Sequence, residues 1–558
     1  MPTVKTVDTA ETILRFIIEQ KPTTKAQFER ARQQICSSLK VNQPPNRELL
    51  EAYQTLVKKK SLEASDMIEY LLRKAQIRSE SGIAIITSLV KPYMCPGRCV
   101  YCPTEVRMPK SYIATEPAAA RALRLDFSPY EQMRQRILML ERNGHPTDKI
   151  EYIIKGGTWN AYPLKYQYWF ILESFKACND FARRKAIGPE PIDQWEKQPL
   201  EQMIAALDKE QTYNEGSKHR IIGLTLETRP DAISPKTIAH MRNQGCTRIE
   251  LGLQAPDDAI LTLIQRGHTV EQFRIAMKLL RRAGFKVDLH FMPDLPGTTP
   301  DHDVEMYQSL FSDPGLKPDM VKIYPNTVIP SAELYQWYLD GRYKPYGDKA
   351  LFDALLCMKL ATPRYCRISR LIRDIPSTEI TAGNTVTNLR EMLEVELKKR
   401  GQRCECLRCR EVSRQRKHIT EDTIPQLFIE QYETIGGTEY FLSLEDEERT
   451  AVFAFLRLRI PEQTKDKDTL FTHLPEIEDC AFIRELHTYG QLVSIGKKDA
   501  TASQHKGMGK KLVAEAERIA KENGFPKLAI ISGVGVRGYY RKLGYKKEGT
   551  YMIKRLKK

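Results

Sequence analysis

From residue 81 onward, short apolar runs alternate with longer helical stretches, and this alternation restricts the fold more than any other feature of the chain. The runs lie at 83–90, 150–154, 220–226, 247–253, 287–291 and 320–323. Strands separated by helices pair in parallel, because only a crossover returns the chain to the same end of a sheet. Six units are too few to close an eight-stranded barrel. The expected fold is therefore α/β, with an open, partial (β/α)6 barrel whose functional residues gather at the C-terminal strand ends.

The residues at those ends are not ordinary turn residues. The first run leads into a C-x3-C-x2-C triplet, Cys95, Cys99 and Cys102. Three thiolates can hold three irons of a [4Fe–4S] cubane and leave the fourth iron open to a ligand. A structural zinc ion would want a fourth Cys or His, and none lies close by in sequence. The second run ends in Lys155-Gly156-Gly157-Thr158 and the third in Glu227-Thr228-Arg229-Pro230-Asp231. The fourth ends at Gln254, upstream of Arg266-Gly267-His268. Glycines at a strand end let a ligand approach the backbone closely.

The 558 residues exceed what one core accommodates and suggest several domains. A formal charge of +16 favours a polyanionic partner, nucleic acid first. No apolar run approaches the ~20 residues of a membrane helix. The N-terminus carries no secretory pattern, and twelve cysteines in clusters or alone fit a reducing cytoplasm better than a disulfide scaffold. Residues 1–80 read as a helical, mildly basic region, with fourteen Lys and Arg against ten Asp and Glu. The barrel region is expected over 81–375, a basic linker over 376–425 and a further domain over 426–558.

An arginine stripe, Arg364, Arg367, Arg370 and Arg373, leads into that linker. Between residues 398 and 417 nine Lys and Arg face two Glu, and Arg408 and Arg410 belong to this run. Stripe and run read as a phosphate-contacting surface. Within it, Cys404, Cys406 and Cys409 have a C-x-C-x2-C spacing that can converge on one zinc ion, with His418 the nearest fourth ligand. The alternative is free thiols in a loop.

Beyond residue 430, strand-like runs appear at 450–460, 481–489, 528–532 and 545–553. Between them Gln504-His505-Lys506-Gly507-Met508-Gly509 opens an amphipathic helix over 510–523. A glycine-rich loop at a helix start offers free N–H groups and the positive end of the helix dipole to a pyrophosphate.

Cys95, Cys99 and Cys102 followed by Gly156-Gly157-Thr158 resemble the radical S-adenosylmethionine (SAM) superfamily, in which a glycine pair binds the methionine end of the cofactor. The Q-x-x-G-x-G loop resembles the acyl-CoA loop of the GNAT acetyltransferases. Both on one polypeptide resemble the Elp3 family, the catalytic subunits of Elongator and their single-chain prokaryotic relatives. Further matching segments lie at 99–103, 227–231, 266–269, 373–376, 484–487 and 531–537. After Cys102 this chain reads Pro-Thr-Glu-Val, where many members carry a glycine pair.

The resemblance implies an acyltransferase that modifies C5 of the wobble uridine, position 34, in the anticodon stem-loop of tRNA. Its implied cofactors are a [4Fe–4S] cluster and SAM, with acetyl-CoA as substrate. It implies Glu227 at the cofactor site, Glu485, Leu486 and His487 beside acetyl-CoA, and Tyr539 or Tyr540 as the acid that protonates the leaving thiolate. Lys155 is placed to order acetyl-CoA or the cofactor, or else to pair with Glu227. A reductant protein is an expected partner. Elongator-type subunits are expected only in a eukaryotic setting, and a lone enzyme or homodimer otherwise. The rival reading is a protein lysine acetyltransferase with a structural iron–sulfur domain, for which Glu485 would be the base.

Overall fold

The computed structural model describes residues 4–73, 82–191, 195–415, 419, 423–463, 469–489 and 507–556. The chain forms two compact bodies. Among the described residues no helix is long and apolar enough to cross a membrane.

The smaller body contains the N-terminal helices Val4–Glu19, Lys25–Leu39, Asn46–Lys58 and Asp66–Leu72. Their apolar positions recur at helical spacing, so Ile13, Leu14, Ile17, Phe28, Leu49 and Tyr53 meet in one core. Thr24 and Gln27 form a capping box that fixes the start of the second helix.

The larger body holds two seven-stranded sheets. The first runs in chain order: β1 (Ala84–Leu89), β2 (Lys149–Lys155), β3 (Arg220–Thr228), β4 (Arg248–Gln254), β5 (Lys286–Phe291), β6 (Met320–Ile323) and β7 (Arg367–Arg370). Neighbours from β3 to β7 pair in parallel. The six expected strands are all present, and the sheet is an open half-barrel. β7 was not expected, because it lies on the arginine stripe. Ile368 is its only buried residue, and a short edge strand can form with that little apolar content.

The second sheet contains β8 (Gln426–Thr434), β9 (Gly437–Glu445), β10 (Val452–Pro461), β11 (Cys480–Thr488), β12 (Lys527–Ile530), β13 (Lys546–Glu548) and β14 (Tyr551–Arg555). Its order is β8-β9-β10-β11-β12-β14-β13. All pairings are antiparallel except β11 with β12. The helix Met508–Glu522 lays Leu512, Val513, Ala516 and Ile519 on this sheet. The expected strand at 545–553 is a hairpin instead, turning at Gly549, whose φ is +52°.

The two sheets are joined within one body. Glycines 533 and 535 lie against β3: a Cβ at residue 533 would stand 1.8 Å from the carbonyl oxygen of Ile222. A fully buried ion network completes the junction. Arg484 pairs with Asp319, which precedes β6, and its Nε donates to Glu439 at 2.9 Å. Arg281 and Arg459 donate to the same Glu439 at 2.8 and 2.9 Å. Breaking such a network by removing one partner leaves an uncompensated buried charge, at a cost of about 3–5 kcal/mol.

Candidate active sites

The cysteine loop follows β1 at the C-terminal edge of the half-barrel. Cys99 and Cys102 are buried and Cys95 is half-buried. The neighbourhoods of Cys95 and Cys99 supply donors, whereas burial pushes the Cys102 thiol up to about 12. The N–H of Gly97 donates to Cys95 Sγ at 3.4 Å, and Arg266 Nη1 donates to Cys99 Sγ at 3.5 Å. Thr158 Oγ1 lies 3.5 Å from Cys95 Sγ. Burial opposes ionisation of Cys99, but the Arg266 guanidinium outweighs it and holds the thiol below its ordinary value. Donors and a buried cation aimed at sulfur suit thiolate ligands of a cluster.

Beside the loop stand a glycine pair and a buried guanidinium. Gly156 and Gly157 have φ of +144° and +84°, which side chains rarely adopt, and a Cβ at 156 would collide with Val90. Arg229 is buried with Nη1 unpartnered, and Gln254 has an unpartnered Oε1. A Cβ at residue 97 would stand 2.2 Å from Arg229 Nη1, so glycine there lets the loop close over it. Orphaned buried polar atoms at the strand ends are what a polar cofactor would satisfy. Gln254, Arg266 and His268 were noted only as strand-end residues. The distance in sequence between Arg266 and Cys99 hid their contact.

The strands β2 to β6 contribute one member each to a charged cluster. Lys155 of β2 and Lys322 of β6 both ion-pair with Glu250 of β4. His290 of β5 lies 3.3 Å from the same carboxylate. Glu227 of β3 is 3.8 Å from Lys155 and accepts from the Tyr112 hydroxyl at 2.8 Å. Lys155 is thus tied chiefly to Glu250, with Glu227 as its second neighbour. Burial, opposed by Glu227 and reinforced by Lys322, holds the Lys155 ammonium well below its usual range. Lys322, Glu250 and His290 were missed because single charges inside apolar runs carry no spacing signal.

The sulfurs of Cys404, Cys406 and Cys409 lie within 4.8 Å of one another. That convergence fits a single tetrahedral metal ion. The buried Lys359 donates toward Cys409 Sγ at 3.9 Å. His418 lies outside the described residues. The triad is wedged between the sheets: the Leu407 N–H donates to Cys366 and the Val452 N–H to Arg410, at 2.9 and 2.7 Å.

The arginine stripe does not form one surface. Arg364 pairs with Glu405 at 2.6 Å, Arg367 with Glu411 at 2.6 Å, and Arg373 with Glu116 at 3.0 Å. Arg370 alone is about half exposed, at 49 %, and it pairs with Asp374. Arg410 is buried against Glu445 at 2.7 Å. These pairings correct the expectation of a continuous phosphate-contacting stripe. Spacing of three puts residues on different sides of a strand, and the acidic partners come from distant segments. Arg408 keeps a different character. Burial and the nearby Arg390, Arg367 and Arg414 lower it to about 9.

In the second sheet β11 and β12 pair only over Cys480–Ile483 and Lys527–Ile530. β11 then runs on to Thr488 while β12 stops, so the strands part. A register shift against β10 at Arg457/Leu458 adds a bulge at the same level. The backbone of Glu485, Leu486 and His487 borders the opening. The helix that begins at Met508 faces it with Gly507 at its N-cap, φ +102°, and no side-chain cap. The hydroxyl of Tyr539 would lie 2.7 Å from a Cβ at Gly509, so it sits over that helix start. Tyr540 is buried among Tyr545 and the helix residues of the core. Glu485 accepts from Arg457 Nε at 2.9 Å and lies 3.4 Å from Lys286. Burial opposes its ionisation, but those two cations bring it down to about 2. Gln504, His505 and Lys506 lie outside the described residues.

The Radical SAM superfamily model matches residues 89–310, and the Radical_SAM C-terminal domain model matches residues 318–399. A tRNA uridine(34) acetyltransferase of Methanocaldococcus infernus is 40% identical over 560 residues, covering 98% of each chain. The Elongator complex protein 3 of Danio rerio is 36% identical, over 87% of this chain and 86% of its own. This chain belongs to the Elp3 family. The solved structure of archaeal Methanocaldococcus infernus Elp3 lacking residues 1–46 superposes with a TM-score of 0.69. It shares 39% identity and covers 85% of this chain and 99% of its own. The half-barrel is accordingly the radical SAM domain of an Elp3 protein, and the second sheet follows it.

Proposed function

We propose that this protein attaches an acetyl-CoA-derived carboxymethyl group to C5 of the wobble uridine of tRNA. One observation carries the reading: a three-cysteine loop on a half-barrel and a sheet whose strands part before a helix start are locked into one body through Arg484, Asp319 and Glu439. Two sites fixed in one body suit two half-reactions on one substrate. Carbon 5 of uridine is not electrophilic enough for simple acyl transfer, and an acetyl methyl group resists deprotonation. When bound, a [4Fe–4S] cluster with SAM supplies a 5′-deoxyadenosyl radical able to take hydrogen from that methyl group.

The chain's own residues frame this chemistry. Cys95, Cys99 and Cys102 would hold the cluster, and Arg266 favours the charged form of Cys99. Gly156, Gly157 and Thr158 would let the methionine end of SAM reach the backbone, with Arg229 and Glu227 at its charged groups. Lys155 stands beside Glu227. In the second sheet, the N-terminus of the helix Met508–Glu522 would take the CoA pyrophosphate. Tyr539, exposed above Gly509, is the acid for the leaving thiolate, since Tyr540 is committed to the core. Cys404, Cys406 and Cys409 would hold zinc as a staple between the sheets. Arg370, Arg400, Arg403 and Arg408 are among the arginines placed to meet phosphates, and an anion would relieve the crowding around Arg408.

The lysine acetyltransferase reading loses its base. A Glu485 carboxylate held near 2 by two cations takes a proton poorly at neutral pH. The deciding experiment incubates anaerobically reconstituted protein with SAM, reductant, acetyl-CoA and bulk tRNA, followed by mass spectrometry of the nucleosides. A 5-carboxymethyluridine peak that vanishes in Cys99→Ala is the expected result. Acetylated peptide with an unmodified tRNA pool, unaffected by Cys99→Ala, would sink it.

A further inference from the structure

We propose that Asp294 and Asp303 form a proton-held latch, which fastens residues 331–346 as a strap bracing the cysteine loop. The strap begins against that loop. The carbonyl of Ser331 accepts from the Thr104 N–H at 2.9 Å, and the Leu334 N–H donates to the Val100 carbonyl at 2.8 Å. The short helix Leu334–Leu339 follows, and the Tyr343 N–H donates to the Trp337 carbonyl at 2.9 Å as the chain turns. The far end of the strap then meets the segment that leaves β5.

Two tyrosines make that attachment. The Tyr343 hydroxyl donates to the Asp294 carbonyl at 2.7 Å and lies 3.3 Å from Asp294 Oδ1. The Tyr346 N–H donates to Asp294 Oδ1 at 3.2 Å, and the Tyr346 hydroxyl donates to Asp303 Oδ2 at 2.8 Å. The two aspartates are joined to each other as well, since the Asp294 N–H donates to Asp303 Oδ2 at 2.6 Å. The hydroxyl of Thr298 pairs with that of Tyr346, and Asn326 Nδ2 donates to the Tyr343 hydroxyl at 3.1 Å. Asp294 holds a left-handed backbone here, with φ of +65°, which is uncommon for a residue other than glycine.

The charges around the pair make this attachment depend on a proton. Asp294 and Asp303 are buried, at 1 % and 0 % exposure, and Asp303 Oδ1 has no hydrogen-bond partner among the described residues. The nearby cations are engaged elsewhere or face water. His302 turns its ring to Asp257 at 3.4 Å, and Arg342 pairs with Asp340 at 2.7 Å. Asp301 and Glu305 on the helix of Asp303, and Lys344, Asp348 and Lys349 at the strap's end, are exposed. Two buried carboxylates without a cation are costly, so the closed strap retains protons that the open strap gives up to water. Burial pushes Asp294 up to about 7 and Asp303 up to about 6, against the donors named above. A solvated aspartate titrates near about 3.9. The latch is therefore at full strength below about 4 and weakens as the pH rises through the folded values. Above the Asp303 value only the Asp294 proton is left to release, so opening becomes about tenfold easier over the next pH unit and then levels off. An open strap drops the two backbone hydrogen bonds that brace Val100 and Thr104.

The test is hydrogen exchange of the full chain, read by mass spectrometry on peptides covering residues 331–346 and corrected for the intrinsic pH dependence of exchange. Protection of the strap should fall about tenfold between pH 6 and 7 and level off above about 7.5. Asp294→Asn keeps the shape and removes the charge, so its strap should hold the same protection from pH 6 to 8. Tyr346→Phe removes a donor and leaves both carboxyls, so protection should drop several-fold at pH 6 while the pH slope remains. It serves if the Asn variant does not fold. Parent protection that is flat from pH 6 to 8 overturns the latch, as does a slope that survives in Asp294→Asn. An equal fall in the helix Met508–Glu522 overturns it too, because the whole body then loosens together. A second readout rests on reading Cys95, Cys99 and Cys102 as cluster ligands. After anaerobic reconstitution, iron loss to a chelator should be several-fold faster at pH 7.5 than at pH 6 in the parent and not in Asp294→Asn. Equal iron loss in the two chains, with the strap's exchange still pH-dependent, overturns the tie to the cysteine loop. A parent that takes up no iron overturns the cluster reading instead and leaves the exchange result to decide the latch.

Discussion

The chain carries two cysteine triplets of nearly equal length, and their geometries differ. In the linker, Cys404, Cys406 and Cys409 bring their sulfurs within 4.8 Å of one another, whereas Cys95, Cys99 and Cys102 show no such convergence. One metal ion needs sulfurs gathered around a point, but a cubane needs them spread over three corners. The surroundings differ in the same sense. The loop triplet lies beside glycines and orphaned polar atoms, whereas the linker triad is packed between two sheets. Similar spacing thus yields a reactive centre where the chain leaves a strand end, and a staple where it is clamped on both sides.

Substituting one member of each triplet tests this division most severely. Cys99→Ala should abolish reductive cleavage of SAM, read as loss of 5′-deoxyadenosine by at least a thousandfold, with little change in thermal stability. Cys406→Ser should do the reverse. It should lower the stability by at least about 4 kcal/mol, the range of a lost structural metal, and release one zinc per chain by elemental analysis. If Cys406→Ser loses 5′-deoxyadenosine formation while staying fully stable, the two roles have been wrongly divided.

A gentler probe targets the buried cation beside each triplet. Arg266 donates to Cys99 Sγ at 3.5 Å, and Lys359 toward Cys409 Sγ at 3.9 Å. Arg266→Met should retain the three thiols but lower the cluster potential and slow SAM cleavage by about 10–100-fold, the usual penalty for losing a ligand's supporting partner. Lys359→Met should leave SAM cleavage within about twofold and instead weaken zinc retention against a chelator. Equal losses of SAM cleavage in both would mean that the triplets are coupled through the sheets.

The same contrast explains what could be read from the chain alone. The half-barrel was legible because parallel strands buried on both faces are written as unbroken apolar runs, and the cysteine loop because its ligands are contiguous. β7 escaped notice since only Ile368 is buried in it, and β8 because it is an edge strand with alternating exposed residues. The arginine stripe misled for another reason. Local charge density is a property of composition, but the partners Glu116, Glu411 and Glu445 are fixed only by the tertiary fold. The segment 531–537 reads from the sequence only as one that matches the Elp3 family. Its glycines at 533 and 535 also permit close packing on β3, which only the folded neighbour reveals.

The mildest test concerns the clamp that holds the linker triad. Arg410, next to Cys409, reaches Glu445 of β9 at 2.7 Å, and Glu445 also accepts from Ser443 at 2.6 Å. Burial opposes the charge on Glu445, but the Arg410 guanidinium prevails and holds the carboxyl below its ordinary value. A carboxyl lowered on folding stabilises the native state above its unfolded value, about 4.3, and loses that contribution as the pH falls through its folded value. Glu445→Gln should therefore lower Tm by several degrees at pH 7. The gap between variant and parent should be constant from pH 7 to about 5 and close progressively below about 4. SAM cleavage should be unchanged at neutral pH, because the pair touches the staple and not the cluster loop. A gap that persists undiminished at pH 3 would show that Glu445 acts through packing rather than charge. A loss of SAM cleavage at pH 7 would show that the clamp also sets the geometry of the reactive triplet.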